Sequence, residues 1–197
     1  YFKNIFSKSN ILINEIICCS YAKSINYKDD LNLTGYTTFI DVGFNRLSII
    51  SYFNDKILSF DILPIGGNHI TKDISKILKL DLRQSEQMKH NFGETFKFSS
   101  NEDIQKDTLQ KVIFARTDEM IELCIKSIKS NSYTLDKPKV SLMGAGLKIF
   151  NDKKKDKISQ LSDLNILRET SEYICQSGFK FINSLNKQEV VVIPKKH

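Results

Sequence analysis

Three short stretches of this sequence carry residue types that could bind an anion, a metal ion or a flat ring. In the first, Asp41 and Gly43 end an apolar run, and Phe44 and Asn45 continue it into a short turn. A phosphate group needs backbone N–H donors that can approach it closely, whereas a divalent cation needs carboxylate oxygen. This stretch could supply both, although an ordinary hairpin would begin with the same residues.

The second stretch, KVSLMGAG, places three small residues directly after an apolar strand signal. Gly144, Ala145 and Gly146 would let a planar base lie against bare backbone. Because a strand followed by glycines and a helix is common in α/β folds generally, this stretch alone is a weak indication.

The third stretch contains Glu86 and Lys89, which are three residues apart in a predicted helix and therefore share a face. A carboxylate and an ammonium group in that arrangement could hold ribose hydroxyls. An exposed ion pair, worth less than about 1 kcal/mol, would explain the same spacing.

The first stretch lies within a predicted antiparallel meander. Strand signals cover residues 37–42, 47–53 and 57–63, and the links GFNR and NDK are short enough for hairpins. Residues 47–53 alternate poorly between apolar and polar side chains, which predicts a strand that is covered on both faces.

Helical periodicity surrounds the meander. We predict a helix that begins near His69 with Asn68 as its cap, and another over 82–91 with Asp81 as its cap and Gly93 at its end. In the first of these helices the apolar stripe is Ile70, Ile74, Ile77 and Leu78. A long helix is predicted over about 101–130 and a last one over about 168–186, while 95–99 could be an edge strand and 189–193 a terminal strand.

Composition restricts the classes of protein. The net charge is +6, but the lysines are scattered and not massed with aromatic residues on one face, so no nucleic-acid partner is expected. The four cysteines show neither a CxxC pair nor a metal-ligand spacing, and reduced, mostly buried thiols of a cytosolic protein are expected. No apolar run approaches the roughly 20 residues that span a bilayer.

The order of these elements resembles one family. A strand with D-x-G, a meander, the helix entry PIGGNHIT, a helix with E-x-x-K, a long helix and a strand ending in G-A-G occur together in the C-terminal half of FtsA, a bacterial cell-division protein of the actin-like ATPase superfamily. The most specific part is PIGGNHIT, and the similarity covers nearly the whole chain.

The resemblance implies an α/β fold, the actin-like (ribonuclease H-like) lobe, in which helices flank a mixed sheet with an antiparallel three-stranded meander. Residues 1–80 and 136–197 would form the nucleotide-binding subdomain, and 81–135 an inserted outer subdomain. Because the sequence opens on Tyr1 and matches one half of the family, it could be part of a longer protein.

The resemblance also implies ATP and Mg²⁺ as cofactors. Asp41 would lie near the metal, and the backbone of Gly43, Phe44 and Asn45 would face the phosphates. Glu86 and Lys89 would approach the ribose, and Gly144, Ala145 and Gly146 the adenine.

Partners follow from the same resemblance. Such proteins self-associate into filaments, bind the tubulin-like FtsZ and other divisome proteins, and lie on the cytoplasmic face of the inner membrane at the division site. An amphipathic tail provides the membrane attachment, and the residues PKKH after Ile193 are not expected to form one.

The sequence departs from the family after D-x-G. Phe44, Asn45 and Arg46 replace two further glycines and a threonine, which places a bulky side chain where backbone must approach phosphate. Three functions stay open: a scaffold that binds ATP weakly and is at most a slow ATPase, a nucleotide-free adaptor, and a true ATPase or kinase of the superfamily.

Overall fold

The computed structural model describes residues 1–13, 15–31, 34–54, 56–92, 103–131, 139–150, 158–159, 163–167 and 172–185. The chain divides into two compact units, one formed by residues 1–32 with 170–197 and the other by residues 33–169. The outer subdomain expected at 81–135 stays a prediction.

Six α-helices are described, and they are α1 (Phe2–Ser7), α2 (Cys19–Asp30), α3 (Gly67–Leu78), α4 (Leu82–Asn91), α5 (Asp103–Asn131) and α6 (Tyr173–Leu185). The described strands are β1 (Tyr36–Val42), β2 (Leu47–Phe53), β3 (Lys56–Leu63), β4 (Lys139–Met143) and β5 (Asp163–Ile166). A short 3-10 helix, Ala145–Ile149, follows β4.

The strands form one mixed sheet in the order β3-β2-β1-β4-β5. β1 pairs antiparallel with β2, and β2 with β3, so the predicted meander is confirmed to within one residue at each strand end. β4 adds parallel to β1, and β5 parallel to β4. The residues of β1 and all but the last residue of β2 are buried, which confirms the strand covered on both faces.

The main core of the second unit contains residues from the sheet, α3 and α5. Ile40 and Val42 of β1 belong to the same buried cluster as Ile70 and Ile74 of α3. From α5 the fully or largely buried members are Leu109, Val112, Ile113, Met120, Ile121, Cys124 and Ile128. The predicted stripe of α3 is wrong at Ile77, which is 52% exposed.

Capping chemistry explains where α3 and α4 begin. Oδ1 of Asp81 accepts a hydrogen bond from Gln84 N at 2.8 Å, and the predicted helix from Leu82 to Asn91 is confirmed. Asn68 as the cap of α3 is wrong, because that helix begins at Gly67 and its N-cap is Gly66. Gly93, the edge strand at 95–99 and the terminal strand at 189–193 lie outside the described residues.

In the first unit, α2 packs against α6. Asn26 Nδ2 donates to Ser177 Oγ at 3.2 Å, and the rings of Tyr27 and Tyr173 stack with their centroids 4.4 Å apart. The expectation of mostly buried cysteines is wrong, because Cys18, Cys19 and Cys175 are exposed and Cys124 alone is buried. No helix in the described ranges is long and apolar enough to cross a bilayer.

Candidate functional site

The β1–β2 turn is fastened to the start of α3. Gly43 N donates to Arg46 O at 3.0 Å and closes the turn. The carbonyl of Gly43 accepts from Gly67 N at 3.1 Å, and that of Phe44 accepts from Asn68 N at 2.6 Å. The first amides of α3, which no intrahelical carbonyl can satisfy, are therefore used to hold the turn.

Gly66 makes this close approach possible. A Cβ atom there would lie 2.7 Å from Arg46 N, Gly43 O and Phe44 O, all of them backbone atoms. In a trans peptide the C=O and the following N–H point in opposite directions. Since the carbonyls of Gly43 and Phe44 point at α3, the N–H groups of Phe44 and Asn45 point away from it, and neither donates to a described residue.

Lys89 is the centre of a buried polar network. Its side chain is 3% exposed, and Nζ donates to Gly67 O at 3.1 Å, Thr71 Oγ1 at 2.9 Å and Glu86 Oε2 at 2.7 Å. The Thr71 hydroxyl also donates to Glu86 Oε2. An ammonium group has three donors, so this network satisfies all of them.

The other carboxylate oxygen of Glu86 faces solvent and His90. His90 Nε2 lies 3.0 Å from Glu86 Oε1, and the His90 side chain is exposed. Burial alone would raise the pKa of Glu86, but the hydrogen bonds from Lys89 and Thr71 and the nearby charges of Lys89 and His90 outweigh it and lower the pKa. Glu86 is therefore held as a carboxylate.

The glycine bend after β4 lies against the end of β1. Gly144 has φ of +101°, and a Cβ there would lie 2.7 Å from Val42 O and would also overlap the Asp41 carboxylate. Only glycine combines that backbone conformation with that proximity. Leu147 N donates to Gly144 O at 3.2 Å and starts the 3-10 helix.

These three elements border one cavity of about 340 Å³. Its walls come from the turn, the start of α3, the exposed side of α4 and the residues after the glycine bend: Gly43, Phe44, Gly67, Glu86, Lys89, His90, Phe92, Ala145, Gly146, Lys148 and Ile149. The cavity lies within the size range of small-ligand sites and combines apolar rings, bare backbone and a carboxylate.

Six of the nine residues proposed from the sequence line this cavity, and three do not. Asp41 is buried behind the glycine bend with its Oδ1 against Gly144. Asn45 Oδ1 accepts a hydrogen bond from Asn68 Nδ2 at 3.0 Å, at the outer side of the turn. Gly144, whose backbone lies against Asp41 and Val42, does not line the cavity either.

Sequence reasoning missed several of the lining residues. His90 follows Glu86 at i+4, so the helical spacing that selected Lys89 could also have selected His90. Lys148 and Ile149 lie just beyond the glycines and carried no signal of their own. Gly67 also lines the cavity but was not among the residues proposed from the sequence.

The fit of a metal ion depends on one carboxylate. The described residues contain no group of three or more His, Cys, Asp or Glu side chains that could hold a metal by themselves. Mg²⁺ usually keeps several waters and binds through one or two carboxylates together with substrate phosphates. Asp41 is buried against Gly144 and does not line the cavity, so it would act only through a water of a Mg²⁺ ion that a phosphorylated ligand holds.

The sequence matches a known family over most of its length. The family model described as cell division protein FtsA matches residues 38–188. FtsA of Buchnera aphidicola subsp. Schizaphis graminum is 27% identical over 133 residues, which cover 59% of this chain and 31% of that protein. FtsA of Bacillus subtilis is 29% identical over 122 residues, 54% of this chain and 27% of that protein. The chain thus spans less than a third of the length of these relatives.

The fold matches a solved structure more completely than the sequence matches any of these relatives. MreB5 of Spiroplasma citri bound to ADP superimposes with a TM-score of 0.72 and 17% identity, over 94% of this chain and 65% of that chain. At that identity the likeness shows the fold alone, and the fold predicted from the sequence, the actin-like lobe, is confirmed.

Proposed function

This chain belongs to the FtsA family of cell division proteins, and we propose on that basis that it is the nucleotide-binding part of a division scaffold. ATP would bind in the cavity between the β1–β2 turn, α4 and the glycine bend. Binding would stabilise the folded, assembly-competent form by linkage and would not require rapid hydrolysis.

One observation carries this proposal. Three stretches around residues 43, 88 and 145, which are 45 and 57 residues apart along the sequence, border the same cavity. The similar fold of MreB5, whose solved structure is bound to ADP, supports the same ligand class.

Each wall would contact a different part of the nucleotide. The outward N–H groups of Phe44 and Asn45 would donate to phosphate oxygen. Glu86 would accept from ribose hydroxyls, and the backbone of Ala145 and Gly146 would lie against the adenine. Asp41 would hold a water of a Mg²⁺ ion bound to the phosphates, and the ion would supply charge neutralisation when bound.

The wider role follows from the family. The whole protein would self-associate into filaments, bind the tubulin-like FtsZ and other divisome proteins, and attach to the cytoplasmic face of the inner membrane through an amphipathic tail. The partner surface would lie in the outer part of this half, near residues 80–130.

Calorimetric titration of Mg-ATP into the full-length protein tests the nucleotide step. We expect micromolar affinity, and we expect Glu86→Ala to weaken it about tenfold or more and Asp41→Ala to weaken it by less than tenfold. Asp163→Ala, at an exposed position in β5, is the matched control and should leave the affinity unchanged. Absence of any binding heat at high protein concentration would contradict the proposal.

A nucleotide-free adaptor is the second candidate, and the Lys89 network favours it. The network is complete without a ligand, since all three ammonium donors are used within the protein. This function predicts no ATP affinity in the full-length protein. Steady ATP turnover well above a slow background would favour a superfamily ATPase over both.

A further inference from the structure

We infer that Phe44 makes the cavity select the nucleoside part of its ligand, so that added phosphates contribute little to affinity. The inference rests on the proposed nucleotide binding and deepens it, because it names the part of the nucleotide that the site recognises. It depends on which donors near the turn are already used and on where the Phe44 ring lies.

Lys89 has no donor left for a phosphate group. Its ammonium group donates to Gly67 O, Thr71 Oγ1 and Glu86 Oε2 at 2.7 to 3.1 Å, and its side chain is 3% exposed. To reach a phosphate it would have to leave the Glu86 carboxylate and two further acceptors unsatisfied in a buried position, which is costly. The Lys89 ammonium group is therefore structural.

The start of α3 has no free amides at its first two positions either. A helix N-terminus ordinarily binds anions through its unsatisfied N–H groups. Here Gly67 N and Asn68 N donate to the carbonyls of Gly43 and Phe44. Those two donors hold the turn in place and are not directed at the cavity.

The Phe44 ring occupies the corner where a phosphate would need positive charge. The ring lines the cavity, is 54% exposed, and has its centroid 5.4 Å from Lys89 Nζ. That distance is within the range of a cation–π contact, which holds the ring over the network. The face of an aromatic ring carries negative partial charge, so it disfavours an adjacent phosphate and favours a stacked base or the apolar face of a sugar.

Two further basic side chains line the cavity, and neither belongs to the turn. His90 lies in α4, with its Nε2 3.0 Å from Glu86 Oε1. Lys148 lines the cavity in the 3-10 helix after the glycine bend, the segment proposed to hold the base. Within the described part of the chain, the turn therefore offers phosphate the amides of Phe44 and Asn45 and no cationic side chain from the cavity lining.

The test is a ligand series measured by calorimetry on the full-length protein. Adenosine, AMP, ADP and Mg-ATP are titrated into the wild type, Phe44→Gly and Phe44→Ala. Phe53→Ala removes a similarly exposed ring at the end of β2, outside the cavity lining, and serves as the matched control. Thermal unfolding of each variant establishes that it is folded before titration.

We expect the wild-type Kd values to agree within about tenfold across the series. Both Phe44 variants should bind Mg-ATP about tenfold more tightly and adenosine about threefold more weakly, because the turn amides become accessible while the stacking surface is lost. Phe53→Ala should behave as the wild type.

Two outcomes overturn the inference, and they differ in what they say about the proposed function. A wild-type affinity that rises about a hundredfold from adenosine to Mg-ATP, unchanged in the Phe44 variants, would refute the role of Phe44 and leave ATP binding intact. No binding of any member by any variant would refute the inference together with the nucleotide step on which it rests.

Discussion

The Nε atom of Arg116 lies 2.6 Å from Oδ2 of Asp73, so an ion pair joins the long helix α5 to α3. Nη1 of the same guanidinium lies 2.5 Å from Glu119 Oε2. The hydrogen bond to Asp73 is the largest cause that raises the pKa of Arg116 above its ordinary value, against the opposing effect of burial. We expect Arg116→Ala to lower the free energy of unfolding by about 1 kcal/mol, measured by urea denaturation.

Lys111 provides the control for that pair. Its Nζ lies 2.6 Å from Asp107 Oδ2, the same distance, but the two side chains are 75% and 60% exposed, compared with 27% and 28% for Arg116 and Asp73. Solvent weakens an exposed pair, so Lys111→Ala should change the unfolding free energy by less than about 0.5 kcal/mol. Equal losses in the two variants would show that the interhelical pair has no special role.

Glu86 should make the stability of the fold depend on acidic pH. Its pKa is lowered in the folded state, so the ionised carboxylate stabilises the fold above the unfolded pKa of about 4.3, and that contribution is lost as pH falls through the folded pKa. The unfolding free energy of Glu86→Gln should therefore lie below that of the wild type near pH 7, and the difference should shrink below about pH 4.

Denaturation series at about pH 7, 5 and 3 measure this effect. Glu122→Gln makes the same change of charge at an exposed position of α5 and should show little difference from the wild type at any of these values. If Glu86→Gln behaves as Glu122→Gln does, the network around Lys89 does not depend on the carboxylate.

The glycine bend should tolerate no side chain. Gly144→Ala would place a Cβ at φ of +101° and against Asp41 and Val42, and we expect a loss of about 2–4 kcal/mol in unfolding free energy. Gly178→Ala is the opposite case, because nothing lies within 4 Å of the new Cβ in the middle of α6. Gly178→Ala should raise the free energy of unfolding by about 0.5–1 kcal/mol. Thermal unfolding of both variants measures the difference between them.

Cys124 should limit stability at alkaline pH. Burial raises the pKa of its thiol to about 12, so the protonated thiol stabilises the fold below the unfolded pKa, and this contribution is lost as pH rises from about 9 through about 12. Between neutral pH and about pH 10, the free energy of unfolding of the wild type should fall by about 1.4 kcal/mol more than that of Cys124→Ala.

Thiol labelling gives an independent measurement. Cys124 is buried and Cys175 is exposed, so Cys175 should react in the folded chain and Cys124 only after unfolding. Rapid native-state labelling of Cys124 would show that α5 opens locally without global unfolding.

The elements best predicted from the sequence were those specified by local chemistry. Asp81 three residues before Gln84, at the head of an E-x-x-K segment, defined α4 because a capping box is a contact between near neighbours. The meander followed from two short links between apolar runs. β5 was missed because it has only four residues, and Asp163 and Ile166 at its ends are exposed.

Most residues of the candidate site could be predicted from the sequence, but the hydrogen bonds among them could not. Glu86 and Lys89 were selected as a pair on one helical face, which they are. Their other partners, Gly67 and Thr71, are 15 to 22 residues away in sequence. No local sequence pattern could therefore predict that all three donors of the Lys89 ammonium group are used within the protein. Asn68 was chosen as a cap by residue type, whereas the N-cap is Gly66, where the proximity of the turn backbone requires glycine.

The fastening of the turn to α3 has a mechanical consequence. A movement of the peptide planes of Gly43 and Phe44 would displace Gly67 and Asn68 as well, because direct hydrogen bonds join them. Six residues further along α3, Asp73 is linked to Arg116. We therefore expect a displacement of the turn to shift α3 and, with it, the contact between Asp73 and Arg116 at the surface of α5.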